Sequence, residues 1–377
     1  MVKSIFTKAK ISGIVTCVPE KFINIEDEVD RLYNGNMKHV EMIKKMIGLN
    51  KRHIVEDDTT TADLCEMATN KLLDDMSLDK KSIDVLIFVT QTPDYFQPAT
   101  AAYLHGRLNL SQNCAVFDVN QGCTGYIYGL WLAYMMIETG CENILVLAGD
   151  TISKIVNPKD PNVAPMFGDA GTVTLVQKSK RKEQSFFTLH SDGKKFDTII
   201  QPKGGFREPS KKHISNKNVF EISEKRTLKN LYMDGNEVFI FAIKIEPKAI
   251  TEILKLSNNK QADIDYIIFH QANKYIIANI ARRLKFPLEK TPSETTGKFG
   301  NQSSASIPCT ICDSINYQVT TKKVKLILSG FGVGLSWATC QLELDKIYCP
   351  DVIFYKNRNE KNNKVRIIKK NQDNIAK

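Results

Sequence analysis

No stretch of the chain approaches the roughly 18 consecutive apolar residues that a membrane-crossing helix requires, so a helical span and a membrane partner are not expected. Met1 to Pro19 has lysines but no continuous apolar core followed by a small-residue cleavage site, so no secretory signal is read there and a cytoplasmic protein is expected. Framework spacing is missing from the nine cysteines, which run from Cys17 to Cys349 and favour a reducing compartment. Cys309-Thr310-Ile311-Cys312 is a lone C-x-x-C with no second pair or nearby histidine, set in a stretch that reads as a buried helix; no metal site is expected. The net charge of +10 raises nucleic acid as a partner. Stacking aromatics and a binding motif are lacking, however, and the excess lies in Lys178 to Lys182, Lys211, Lys212 and Lys356 to Lys370, mixed with asparagine like a solvated surface. Phe331-Gly332-Val333-Gly334 lacks the third glycine and downstream acid of a dinucleotide fingerprint.

What is present is an ordinary globular composition, 42% hydrophobic and 25% charged, in 377 residues. That length suits two α/β units sharing a large core. Ile83-Asp84-Val85-Leu86-Ile87-Phe88 resembles Ile264-Asp265-Tyr266-Ile267-Ile268-Phe269 at an offset of 181 residues. The same offset lays Asn120-Gln121 on Asn301-Gln302 and Leu145 to Gly149 on Leu326 to Gly330. Short β-branched runs alternate with helical patterns in each half, which predicts βαβ units and a duplicated α/β/α sandwich. The expected division is residues 1–178, residues 179–345, and a basic, appended tail over 346–377.

The halves differ where chemistry can sit. Position 123 is Cys and its counterpart 304 is Ser; position 270 is His and its counterpart 89 is Val. Both lie just past an apolar strand, where open α/β sheets place ligands. Cys123 follows Ala115 to Val119 and the turn Asn120-Gln121-Gly122, and precedes an apolar stretch, Thr124 to Thr139, that reads as a buried central helix. A helix N-terminus favours a thiolate by about 0.3–2 kcal/mol, which moves an ordinary thiol toward a pKa of about 7 or 8. Taken singly, Cys123 is more often a small core residue, His270 a structural imidazole and Asn301 a helix cap. An amide at 301, in Gly300-Asn301-Gln302-Ser303, also has the hydrogen-bonding chemistry to donate to a developing oxyanion.

Six motifs in order resemble the β-ketoacyl-acyl carrier protein synthase III family of the thiolase superfamily, over about residues 10–345. They are Gln121-Gly122-Cys123-Thr124-Gly125-Tyr126, Phe167-Gly168-Asp169-Ala170-Gly171, Met233-Asp234-Gly235-Asn236-Glu237-Val238-Phe239, His270-Gln271-Ala272-Asn273, Gly300-Asn301 and Gly330-Phe331-Gly332-Val333-Gly334. The resemblance implies a thiolase-like duplicated five-layer α/β/α/β/α sandwich, a homodimer, and no cofactor beyond an acyl thioester of coenzyme A or a phosphopantetheine carrier protein. It implies that Cys123 takes the acyl group, and that His270 and Asn301 stabilise the enolate formed when a malonyl-type extender loses carbon dioxide. It further implies that backbone N–H groups of Cys123 and Val333 hold the acyl oxygen, that Phe331 walls the decarboxylation site, and that Lys274, Arg282 and Arg283 dock acyl carrier protein.

Some positions depart from the family. Met42 and Met46 stand where a Trp and a phosphate-binding Arg are expected, and Asp160-Pro161 lacks the other Arg. Losing these contacts weakens coenzyme A binding by about 1–3 kcal/mol, so a carrier-bound donor is expected. Gln97, beside Phe96, falls where an aromatic reaches into the partner's acyl pocket, and Gln201 to Pro209 exceeds the minimal pattern. A Cys-His-Asn set also permits an acyltransferase onto oxygen, nitrogen or sulfur; a silent carrier-binding subunit is a further rival, though such subunits typically lack the nucleophile present here. A hydroxymethylglutaryl-synthase-like condensation would require a carboxylate base over the site, and that loop offers only Asp94.

Overall fold

A computed structural model describes residues 2–209 and 227–356, so Lys211, Lys212 and the basic tail beyond Lys356 lie outside the described residues. One six-stranded sheet runs in the order Ile353–Tyr355, Ala9–Pro19, Ala170–Lys178, Asn143–Asp150, Val85–Val89, Ala115–Val119. A five-stranded sheet repeats the pattern as Val2–Phe6, Ser185–Ser191, Ser336–Asp345, Lys323–Gly332, Tyr266–Phe269. The strand Val85–Val89 shows why the inner strands are unbroken apolar runs. It pairs in parallel on both sides; Val85, Ile87 and Val89 face the core between the sheets, and Leu86 and Phe88 face an outer core.

The central layer holds the helix Gly125–Thr139, whose Tyr126, Ile127, Leu130, Ala133, Tyr134 and Ile137 are buried, and the helix Ser306–Ser314, whose Ile307, Ile311 and Cys312 join the same core. Helices Thr61–Asp75 and Thr100–Leu108 cover the outer face of the first sheet. Helices Gly235–Ser257 and Lys274–Leu284 cover the second. The layers are thus α/β/α/β/α.

Both ends of the chain depart from the expected division. Val2–Phe6 pairs antiparallel with Ser185–Ser191 and so joins the second sheet. The tail expected from residue 346 begins inside the fold: Ile347 and Cys349 are buried, and Ile353–Tyr355 adds a parallel strand to Ala9–Pro19, with Ile353 opposite Cys17. That strand covers an otherwise open sheet edge, and its apolar side chains pack on the outer core. Cys309 and Cys312 are buried thiols in their helix, accepting from Gln302 Nε2 (3.2 Å) and Thr16 Oγ1 (3.4 Å).

Candidate active site

Cys123 sits between the edge strand Ala115–Val119 and the central helix, which begins at Gly125 with Thr124 as its N-cap. It is partly exposed. The glycine-rich turn from the second half closes on it backbone first. Gly332, at φ +152°, approaches so closely that a Cβ there would stand 2.7 Å from Cys123 Sγ, a place only glycine can take. The Val333 N–H and the N–H of Cys123 itself both reach the sulfur, as does the Ser303 hydroxyl.

The expected activation of the thiol by the helix is not what the structure gives. Burial pushes Cys123 up to about 11, with Asp150 adding to the rise, and these hydrogen bonds offset only part of it. The sulfur lies one residue outside the N-cap, where the dipole is already fading.

His270 follows the strand Tyr266–Phe269, its N–H donating to Ser329 O (2.8 Å) and its ring edge-on to Phe331 at 5.6 Å. Burial lowers the imidazole to about 4, so it is neutral at neutral pH. Nδ1 lies 2.7 Å from Ser306 Oγ, and that hydroxyl donates to Ser303 O (2.7 Å). A hydroxyl has one proton, so in this arrangement it accepts from the ring. Nδ1 carries the hydrogen and Nε2 is left as an acceptor.

Asn301 is held on both sides. Its N–H donates to Met166 O (2.8 Å), and its carbonyl accepts from Gly168 N–H (3.0 Å), in a parallel bridge with Phe167. Its Oδ1 accepts from Ser303 N–H (3.0 Å), which leaves Nδ2 as the free donor. The contact with Gly168 is backbone on backbone; a Cβ there would fall 1.9 Å from Phe299 O.

Cys123, His270, Asn301, Phe331 and Val333 all line one cavity of about 1170 Å³. Met42, Met46 and Pro161 line it too, and no lysine or arginine does among the described residues. Lys274, Arg282 and Arg283 are exposed on Lys274–Leu284, the helix that lends Tyr275 and Ile276 to the cavity. Lys274 pairs with Glu294 (2.7 Å), and Arg283 caps the Ile243 carbonyl (3.1 Å) that Pro247 leaves without its helical donor. The aromatic next to Gln97 is accounted for: Phe96 stands exposed and packs on exposed Phe206 at 6.0 Å.

Residue types alone gave no sign of Ser303, Ser306 or Asp150. Asp150 is fully buried and accepts from Gln91 N–H (2.7 Å), Thr90 Oγ1 (3.1 Å), Thr92 Oγ1 (3.2 Å) and Ser304 Oγ (3.0 Å). The 181-residue offset was a usable signal, since it maps Asp150 onto Phe331 and Ser304 onto Cys123. The hub therefore includes the counterpart of Cys123 in the other half.

Two repeated α/β/α halves whose strand ends converge on a shared cavity are the architecture of the thiolase superfamily. Residues 117–193 match the family described as 3-oxoacyl-(acyl-carrier-protein (ACP)) synthase III, and residues 254–344 match its C-terminal part. A Campylobacter jejuni relative named "Putative 3-oxoacyl-(acyl-carrier-protein) synthase 3" is 42% identical over 94% of this chain and 99% of its own. A Clostridium perfringens β-ketoacyl-(acyl-carrier-protein) synthase III is 34% identical over 89% and 99%. Among solved structures, a 3-oxoacyl-(acyl-carrier protein) synthase from Burkholderia xenovorans superposes with a TM-score of 0.88 at 35% identity, covering 94% of this chain and 99% of that one. The chain belongs to the 3-oxoacyl-(acyl-carrier-protein) synthase III family.

Proposed function

We propose that Cys123 carries the acyl group in a decarboxylative condensation, and that both the acyl donor and the malonyl-type extender arrive on a carrier protein. The observation that carries this reading is the convergence of Cys123, His270 and Asn301 on one cavity, with two backbone N–H groups aimed at the sulfur.

In the first half-reaction the sulfur attacks the donor thioester. The thiol proton moves to His270 Nε2 and on to the leaving pantetheine sulfur as the donor's C–S bond breaks. The N–H groups of Cys123 and Val333 take the developing oxyanion. In the second, the extender's carboxylate leaves as carbon dioxide and the electron pair passes into an enolate. Asn301 Nδ2 donates to the enolate oxygen; His270 joins it in its other tautomer, in which Nδ1 has given its proton to water, Nε2 has taken one from water, and Ser306 has turned to donate to Nδ1. The carbanion attacks the acyl carbon, the bond to Cys123 breaks, and the thiolate takes up a proton from solvent. Phe331 provides an apolar wall that favours loss of the charged carboxylate.

Carrier delivery is supported by the lining, in which no described residue is a lysine or arginine that could pair with the phosphates of coenzyme A. The basic helix Lys274–Leu284 beside the entrance suits an acidic carrier protein. A homodimer across the edge strand Ala115–Val119 fits its half-exposed Phe117 and Val119. Intact-protein mass after mixing with acyl-carrier-protein and acyl-coenzyme A donors tests the scheme. An adduct in the wild type, none in Cys123→Ala, and its clearance by malonyl-carrier protein with release of carbon dioxide are expected. An adduct that malonyl leaves in place would overturn condensation in favour of simple acyl transfer.

A further inference from the structure

The wall beside the nucleophile carries a polar group that the chemistry above does not use. Gln91 lines the cavity together with Cys123. Its main chain is fixed, because its N–H donates to the buried Asp150 carboxylate (2.7 Å), which also holds Thr90, Thr92 and Ser304. Its side chain lies along the turn that presents the sulfur. A Cβ on Gly122 would come 2.2 Å from Gln91 Oε1, so position 122 admits the amide only by being glycine. That half-buried amide makes no hydrogen bond among the described residues, although it has two donors and an acceptor to satisfy. The cavity it shares is lined by apolar Ile152, Ile155, Phe167 and Ile199 and by further amides, Asn120 and Asn301 among them.

We propose that Gln91 is a specificity residue that selects an acyl group bearing a neutral hydrogen-bonding substituent, a hydroxyl, a few bonds beyond the thioester carbon. The inference rests on Cys123 being the acylated residue. Proximity fixes the position, since the amide packs against the residue preceding the sulfur. Chemistry narrows the class: among the described residues no lysine or arginine lines the cavity to pair with a carboxylate-bearing acyl group, whereas an amide can both donate to and accept from a hydroxyl. Discrimination follows from the unpaired state. A site built to hydrogen-bond a substrate hydroxyl rejects the saturated analogue, which would strip water from the amide and return nothing.

The test follows the rate of Cys123 adduct formation by intact mass, using carrier-protein thioesters of butanoate, of each enantiomer of 3-hydroxybutanoate, and of succinate. Wild type and Gln91→Leu, which keeps the side chain's bulk, are compared. One hydroxy enantiomer is expected to acylate wild type about 10-fold or more faster than butanoate, with succinate slower still. Q91L is expected to lose that preference while its butanoate rate holds or rises, which also shows an intact site. Equal or faster reaction with butanoate in wild type, a preference for succinate, or a hydroxyl preference that survives in Q91L would overturn the role of Gln91 and leave acylation standing. No adduct from any donor would overturn the acyl-cysteine reading itself, and this inference with it.

Discussion

The ionisation of Cys123 separates two physical effects that act on the same sulfur. A helix N-terminus contributes about 0.3–2 kcal/mol toward the thiolate. Burial acts the other way and carries the group from 9.0 to about 11 despite the hydrogen bonds from Val333, Cys123 and Ser303. That net rise of two units corresponds to roughly 3 kcal/mol against the anion. At pH 7 the thiolate is then about one part in 10⁴, whereas a pKa of about 7.5 would make it about a quarter. Iodoacetamide alkylation of Cys123, followed by peptide mass to separate it from the other half-exposed thiol, Cys141, reports this fraction directly. The rate is expected to climb about tenfold per pH unit from pH 7 to beyond pH 9. A plateau near pH 8 would refute the dominance of burial and restore the helix as the activating element. Acylation should follow a flatter profile than alkylation, because His270 takes the proton during attack and stays neutral down to about pH 4.

Other consequences concern the surroundings of the site. Gly168→Ala forces a Cβ onto Phe299 O and displaces Asn301, so malonyl decarboxylation should fall about 10²-fold or more while acylation of Cys123 persists; equal loss of both half-reactions would contradict the assignment. Glu246 is fully buried with Oε2 2.6 Å from Ser329 Oγ and Oε1 unpartnered, and burial raises it to about 8. Its folded pKa exceeds the unfolded value, so the native state keeps a proton that the unfolded chain releases, and stability falls as pH rises from about 4.5 to about 8. Glu246→Gln should remove several kcal/mol of that slope, measured as urea unfolding at pH 5 and pH 8.5; parallel curves for the two proteins would refute it. Arg52→Ala leaves Glu28, itself buried, with only its partly exposed partner Arg31, and should destabilise by about 3–5 kcal/mol in the same assay.

Local pattern carried much of this far. The apolar runs at Val85–Val89 and Tyr266–Phe269, repeated at one offset, encode the two sheets, because a strand buried on both faces must be apolar throughout. The residue differences between halves at positions 123 and 270 pointed to two side chains that the fold brings into one cavity, since both follow a strand end. Tertiary structure alone decided what those residues experience. The acidity of Cys123 depends on a turn 209 residues away, at Gly332, closing over it, and desolvation of that kind leaves no trace in spacing. The direction of the Asn301 amide and the tautomer of His270 hang on Ser303 and Ser306, ordinary serines until the loop folds back on the ring. The strand Ile353–Tyr355 looked like part of a polar tail because its apolar stretch is short; only the open edge of Ala9–Pro19 makes it a strand.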